Sequence, residues 1–585
     1  MFVAAAAPLF SQPSGGPYGP VPQTYTVSAG AAQVYYVAPD GQPSASGKSL
    51  QEPTSLAAAI ERASTGAVIV LRGGTYRTGN LQLNQGVTFQ PHADETPILK
   101  GSQVVKEWKA QDNGVWRATW KTLFPMKPAE WWRRERSGRK TPLYRFNNDM
   151  VFVDGRMLKA VGWEGEVDEN SFYIDYEASQ VYIGVDPSKH QIEITAFDNA
   201  LTRVTGNVHG RPSDKKGFIM RGLAIMQYAY RGIEIEGTNP EAPADPATFG
   251  KDVVGTTLEH VTISHCSRVA GYFRGDNMVF RNCLISDTRT EGLFILSSAD
   301  VLLERNIFRR NNVDNIHGYY PAAVKIFNQC YRAVVRDNLV VEQTNSNGIW
   351  WDVGNVDAVF VNNWVQDAED GFFFEISKGA VCAGNVFVNC HKGVRSLNAS
   401  NVHVYNNTFF NTVASFERTE RSAVGDHFDW HPASGPAVNE REGHVFVNNL
   451  LVADETYDRE LVRFEQVKGL CGKLTQPQTR QFDGNVYLRR GASPQHSLIY
   501  WSPSNGPDCT TVYTELESFR REQSSFETKS LYQPNVLQSV FRSVELKNFE
   551  PLRPVPATVA IPDAVRKATG WTGSGQLTVG AYQGK

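Results

Sequence analysis

The 585-residue sequence contains no apolar run of about 18 residues, the length a helix needs to cross a bilayer, so no membrane span or membrane partner is expected. It is also without an excess of charge of one sign. A net charge of −3, with 20% charged residues, offers no broad basic face and argues against a nucleic-acid partner. Cysteine is scarce. Seven in the whole chain, with no C-x-x-C, exclude a disulfide framework and the commonest zinc and redox motifs. Cys266, Cys283, Cys330, Cys382 and Cys390 fall in strand-like stretches, where the residue serves as a small buried hydrophobe, and Cys471 and Cys509 are left as candidate disulfide partners.

The opening "MFVAAAAPLFSQ" has a small apolar stretch without a basic flank, which fits either the remnant of a secretion signal or a tail. With the Gly/Pro/Ser-rich "SQPSGGPYGPVPQ" behind it, a secreted or periplasmic location is expected.

What the sequence does have is a repeat. "VFRNCLI", "LLERNIF", "VVRDNLV", "VFVNNWV", "CAGNVFV", "VYNNTFF" and "VFVNNLL" each carry an Asn before apolar residues. Those residues are Asn282, Asn306, Asn338, Asn363, Asn385, Asn407 and Asn449, at spacings of 24, 32, 25, 22, 22 and 42. A base period of 22 to 25 with two insertions marks a solenoid of short strands. Such strands cannot bury both faces alone, so successive coils pair in parallel and an Asn at each corner can bond to the Asn above and below. The expected fold is all-β, a right-handed parallel β-helix.

Residues 1–28 read as a tail, and 29–100 as the N-terminal cap and first coils, with "TSLAAAIERA" supplying a short capping helix. Between 101 and 200 alternating strands joined by turns such as Asp154-Gly155 predict an inserted antiparallel β-sandwich. Its "WWRRERSGRK" is either a solvated loop or a flap toward a ligand or a neighbouring subunit. Residues 201–455 form the main helix, and 456–585 the C-terminal coils and a tail packed along the exterior.

Half a coil after each Asn comes a second strand, usually opened by Gly: "GIWWD" from 348, "GFFFE" from 371, "GVRSL" from 393, with "AVKIF" from 323 in the same register. Strand residues alternate faces, so Ile349, Trp351, Phe372 and Phe374 fill the interior. Outward go Lys325, Trp350, Phe373 and Arg395 in one column, and Phe327, Asp352, Glu375 and Leu397 in the next. Asp352 and Glu375 are thereby neighbours on adjacent coils, roughly 5 Å apart at the spacing of paired strands. That gap suits a retaining glycosidase, with one carboxylate as nucleophile and the other as acid/base. Trp350 and Phe373 are candidate sugar platforms, with Lys325 and Arg395 as polar partners. The insertion at 411–443, "GDHFDWHPASGP" included, supplies His427, Asp429, Trp430 and His431 as candidate pocket walls.

On the inserted sandwich, on "NGIWWD" followed by "GFFFEIS", and on the order of the two acids, the chain resembles glycoside hydrolase family 120, β-xylosidases built on a right-handed β-helix interrupted by a β-sandwich. The resemblance implies that Asp352 is the nucleophile, Glu375 the general acid/base, and that xylose is released from chain ends of an oligosaccharide or polysaccharide. No cofactor is required by such chemistry; structural Ca²⁺ and homo-oligomer formation stay open. A polysaccharide lyase or uronate epimerase using Lys325 or Arg395, and a non-catalytic carbohydrate-binding β-helix, are the competing readings.

Overall fold

The computed structural model describes residues 12–135, 138–238, 252–317, 321–420, 440–491, 496–573 and 575–583. Three long sheets run the length of the molecule, and nearly every strand in them pairs in parallel with the equivalent strand of the next coil. The molecule is a right-handed parallel β-helix interrupted by an antiparallel sandwich, as the repeat and the alternating segment predict. One sheet carries the site. Its strands β1 (Val269–Arg274), β2 (Glu291–Leu296), β3 (Ala322–Phe327), β4 (Asn347–Asp352), β5 (Asp370–Glu375), β6 (Lys392–Leu397) and β7 (Val413–Arg418) are consecutive neighbours.

The interior is filled by the residues that alternation assigns to it. Ile349, Trp351, Phe372 and Phe374 are fully buried, and Trp351 packs against Phe360, Phe372 and Phe374 with ring centroids 5.9, 5.3 and 6.4 Å away. Helix Leu56–Arg62 closes the N-terminal end. Ser55 caps it by accepting from the Ala58 N–H, and Leu56, Ala59 and Ile60 enter the same core as the coils.

Asparagine stacking holds one corner. The Oδ1 of Asn338 accepts from the backbone N–H and side-chain amide of Asn306, and the pattern repeats through Asn363, Asn385, Asn407 and Asn449. Asn282 is a correction. The ladder position in its coil is Cys283, whose N–H donates to Asn306 Oδ1. Asn282 sits one residue earlier, at a left-handed φ of 51°, and its amide donates to the carbonyls of Pro17 and Gly19. Asn tolerates that conformation well, so the same residue type serves two adjacent corner positions for different reasons. The ladder also extends one rung further than the repeat suggested, because Asn485 accepts from Asn449. Beyond 455 the stack continues through Val462–Gln466, Thr479–Asp483 and Val486–Arg489 to Leu531–Gln533.

The sandwich comprises one sheet containing Ser102–Val104, Val151–Val153, Arg156–Met157 and Ile192–Thr195, and a second containing Lys109–Ala110, Trp116–Thr119, Lys159–Ala160, Ser171–Asp175 and Gln180–Ile183. Strand Asn199–Arg203 then pairs with Leu81–Leu83 and resumes the stack. In the basic segment 131–140, the Trp132 ring centroid lies 4.5 Å from the Arg268 guanidinium of the helix. Cys471 and Cys509 form a disulfide, and the other five cysteines are free and buried.

Candidate active site

Register carries the site. On strands β3 to β6 Lys325, Trp350, Phe373 and Arg395 are successive Cα partners, and so are Phe327, Asp352, Glu375 and Leu397. Asp352 and Glu375 therefore stand one strand spacing apart, about 4.8 Å along the stack. Both residues are almost fully buried, at 5% and 2% exposure.

The first column is a four-layer stack along the helix axis. The Lys325 ammonium lies 3.7 Å from the Trp350 ring centroid, Trp350 stacks on Phe373 at 4.9 Å and 15°, and the Arg395 guanidinium lies 4.6 Å from Phe373. This corrects the expectation that Trp350 and Phe373 are open platforms. Each ring has both faces covered, because side chains at one column position are brought together by the strand spacing and stack on one another before any ligand can. Both rings are nearly fully buried between the two cationic side chains, at 2% and 4% exposure.

Each cation is tied to a carboxylate. Lys325 Nζ sits 2.9 Å from Asp352 Oδ2, so a negative charge on Asp352 is compensated on one oxygen. The other, Oδ1, is buried with no hydrogen-bond partner among the described residues. Arg395 is fully engaged: Nη1 meets Asp370 Oδ2 at 2.9 Å, and Nε and Nη2 meet Glu417 Oε2 at 3.2 and 3.0 Å. Burial works against the Arg395 charge, but Asp370, Glu417 and Glu375 around it hold its pKa above the ordinary guanidinium value.

Several site residues escaped the sequence reading. Glu291 and Asp370 are the first residues of β2 and β5, each followed by Gly, a pattern legible as "EG" and "DG". Burial pushes Glu291 up to about 7, against the pull of Arg268 and Lys325. Glu417 lies on the Asp352 column two strands beyond Glu375, paired with Leu397 across β6 and β7. Its strand starts with Val413-Ala414 and lacks the opening Gly that set the alignment, so it was passed over. Lys392 at 2.6 Å and the Ser415 hydroxyl at 2.7 Å complete its shell. Although burial raises the Glu417 pKa, Arg395 and Lys392 bring it down to about 2.

A folded-state pKa below the ordinary 4.5 contributes stability that is present above that value and lost as pH falls toward 2. The contribution is on the order of 3 kcal/mol. Glu417→Gln is thus expected to be most destabilising relative to wild type above pH 5, with the gap closing toward pH 2 in a pH series of chemical unfolding. A gap that does not change with pH would contradict the assignment.

His427, Asp429, Trp430 and His431 lie outside the described residues. Among the described residues no group of three or more His, Cys, Asp or Glu side chains is placed to hold a metal ion.

Residues 228–409 match the family model described as a right handed beta helix region. No curated protein matches the chain in sequence. Among solved structures, that of XylC in complex with xylose is similar over 81% of this chain and 88% of its own, at 13% identity and a TM-score of 0.57. Pectate lyase Pel9A is matched over 96% and 99% at 12% identity with a TM-score of 0.38. The GH136 lacto-N-biosidase from Eubacterium ramulus is matched over 80% and 67% at 10% identity, also with a TM-score of 0.38. At 13% identity the likeness to XylC extends to the fold.

Proposed function

We propose that the chain is a retaining glycoside hydrolase in which Asp352 is the nucleophile and Glu375 the general acid/base, acting on a neutral sugar at the end of an oligosaccharide. The observation that carries this reading is the pairing of Asp352 with Glu375 across β4 and β5. One strand spacing matches the roughly 5–5.5 Å carboxyl separation of retaining enzymes and falls short of the 6.5–9.5 Å of inverting ones.

The roles divide by environment. Asp352 has an ammonium on Oδ2 and, among the described residues, no hydrogen-bond partner on Oδ1, which suits attack on an anomeric carbon. Oδ1 forms the new bond to carbon as the glycosidic bond breaks, and Glu375 gives its proton to the departing oxygen. Glu375 then takes a proton from water, whose oxygen attacks the same carbon and releases Asp352. Xylose is the best candidate sugar, from the resemblance to family 120 β-xylosidases and because XylC, the similar structure, holds xylose.

The lyase or epimerase reading needs a basic side chain available to remove a proton. Lys325 is ion-paired to Asp352, and Arg395 is held between Asp370 and Glu417, so neither suits that task. A panel of nitrophenyl glycosides (xyloside, arabinoside, glucoside, galactoside) followed by proton NMR tests the proposal. The expected result is hydrolysis of at least one substrate with the first-formed sugar keeping its anomeric configuration. Initial release of the opposite anomer would rule out Asp352 as nucleophile, and products absorbing in the ultraviolet as unsaturated uronates would point to a lyase.

A further inference from the structure

We propose that the cavity where the inserted sandwich meets the β-helix, walled by Tyr144, Asp149, Gly162, Tyr173, Asp175 and Arg289, is a second carbohydrate site that takes a neutral sugar ring. It encloses about 410 Å³, within the roughly 300–1,000 Å³ usual for small-molecule sites. Nothing in the hydrolytic mechanism uses it.

Its wall has the two chemistries a sugar needs. Tyr144 and Tyr173 contribute ring surface for the C–H face of a pyranose, and Asp149, Asp175 and Glu177 contribute acceptors for hydroxyls. Asp149 carries the strongest pointer to a ligand. It is 1% exposed, and its Oδ2 accepts from the Phe124 N–H and the Tyr176 hydroxyl, each at 2.9 Å. Its Oδ1 has no hydrogen-bond partner among the described residues. A buried carboxylate oxygen without a donor is unfavourable, and a sugar hydroxyl is a donor of the right kind. The cost registers in its ionisation: burial pushes Asp149 up to about 6 despite those two donors.

The same wall selects against an anionic sugar. Three carboxyl groups line the cavity, and its single cation is spent elsewhere. Arg289 gives Nε to Asp314, Nη1 to the carbonyls of Asn147 and Asp149 and to Ser267 Oγ, and Nη2 to the Arg145 carbonyl. A uronate or a phosphate would meet repulsion and no available guanidinium.

The site is distinct from the catalytic pair. Arg289 precedes β2, and β4 with Asp352 is two strands further along the sheet, a displacement of about 10 Å along the axis. Sugar binding here does not depend on Asp352 and Glu375 acting as a hydrolase. The test is isothermal titration of the full chain carrying Asp352→Asn with xylose, arabinose, glucose, galactose and xylotetraose, repeated with Tyr173→Ala or with Ala160→Phe, which enlarges a residue of the cavity lining. At least one neutral sugar is expected to bind saturably and to lose at least tenfold in affinity with either cavity change. In a chain retaining Asp352, the same two changes should leave aryl-glycoside turnover within twofold. Loss for the monosaccharides marks a site for a free sugar, and loss confined to xylotetraose marks one for a unit within a chain. Binding that neither change alters, in variants with wild-type melting temperatures, would overturn the proposal. Absence of any glycoside turnover would count against the catalytic reading and leave this one standing.

Discussion

Asp352→Asn is expected to lower kcat/KM for the best aryl glycoside by about 10⁴-fold or more, the scale on which loss of a nucleophile acts. The change is nearly isosteric, so the stacked column beside it should persist. What disappears is the negative charge that meets Lys325 at 2.9 Å and the nucleophilic oxygen itself. Glu375→Gln should behave differently, because acid catalysis is dispensable when the leaving group is already a weak base. With a dinitrophenyl glycoside the first step should survive, the glycosyl-enzyme should accumulate as a burst, and turnover should stall at hydrolysis. With an alkyl or sugar leaving group both steps should fail. Lys325 loses its charge partner in Asp352→Asn, so melting temperatures must accompany the kinetics. If both variants are folded and hydrolyse every substrate within tenfold of wild type, the pair is not the catalytic centre.

The second large effect concerns the scaffold. Asn363→Leu is expected to destabilise the chain by about 3–5 kcal/mol, because several buried groups lose partners together. The Asn363 amide donates to the carbonyls of Val335 and Val361 and to Asn385 Oδ1, at 2.9, 3.0 and 3.1 Å. Its Oδ1 accepts from both the N–H and the amide of Asn338. Leucine matches the size and supplies none of these, leaving donors and acceptors stranded in two coils. Asn282→Ala is the matched control, since Asn282 lies outside the ladder and its side-chain amide donates to the Pro17 and Gly19 carbonyls. It should cost about 1 kcal/mol. Equal losses in urea unfolding would mean that the ladder contributes no more than an ordinary turn residue.

The asparagine period was legible because stacking demands one residue type in one place, and the outward columns were legible because alternation leaves a strand residue two choices of direction. Cys283 escaped because its coil uses the backbone N–H alone to reach Asn306, and Asn282 beside it imitated the motif. The crowding of the aromatic column was not legible either. Trp350 and Phe373 read as outward residues, but whether an outward ring meets solvent depends on its neighbours above and below. Glu417 was missed for lack of an opening glycine, although its register with Leu397 places it on the acid column. Contacts made by the sandwich, such as Thr141 Oγ1 with the His317 carbonyl and Arg145 with that of Asp314, join segments far apart in the chain that carry no shared pattern.

A solenoid quantises distance. Along the column holding Asp352, Glu375, Leu397 and Glu417, two acids can be separated by one rung, two or three, and by little in between. One rung is about 4.8 Å and two about 10 Å, so the first falls near the retaining separation and the second near the upper end of the inverting one. Glu375 and Glu417 already stand two rungs apart, and the clasp of Arg395 and Lys392 on Glu417 removes that second spacing from use. On the proposed reading, the stereochemical outcome of the reaction reduces to an integer, set by which rungs carry the two reacting acids, and loops can be rebuilt around a different sugar without altering it.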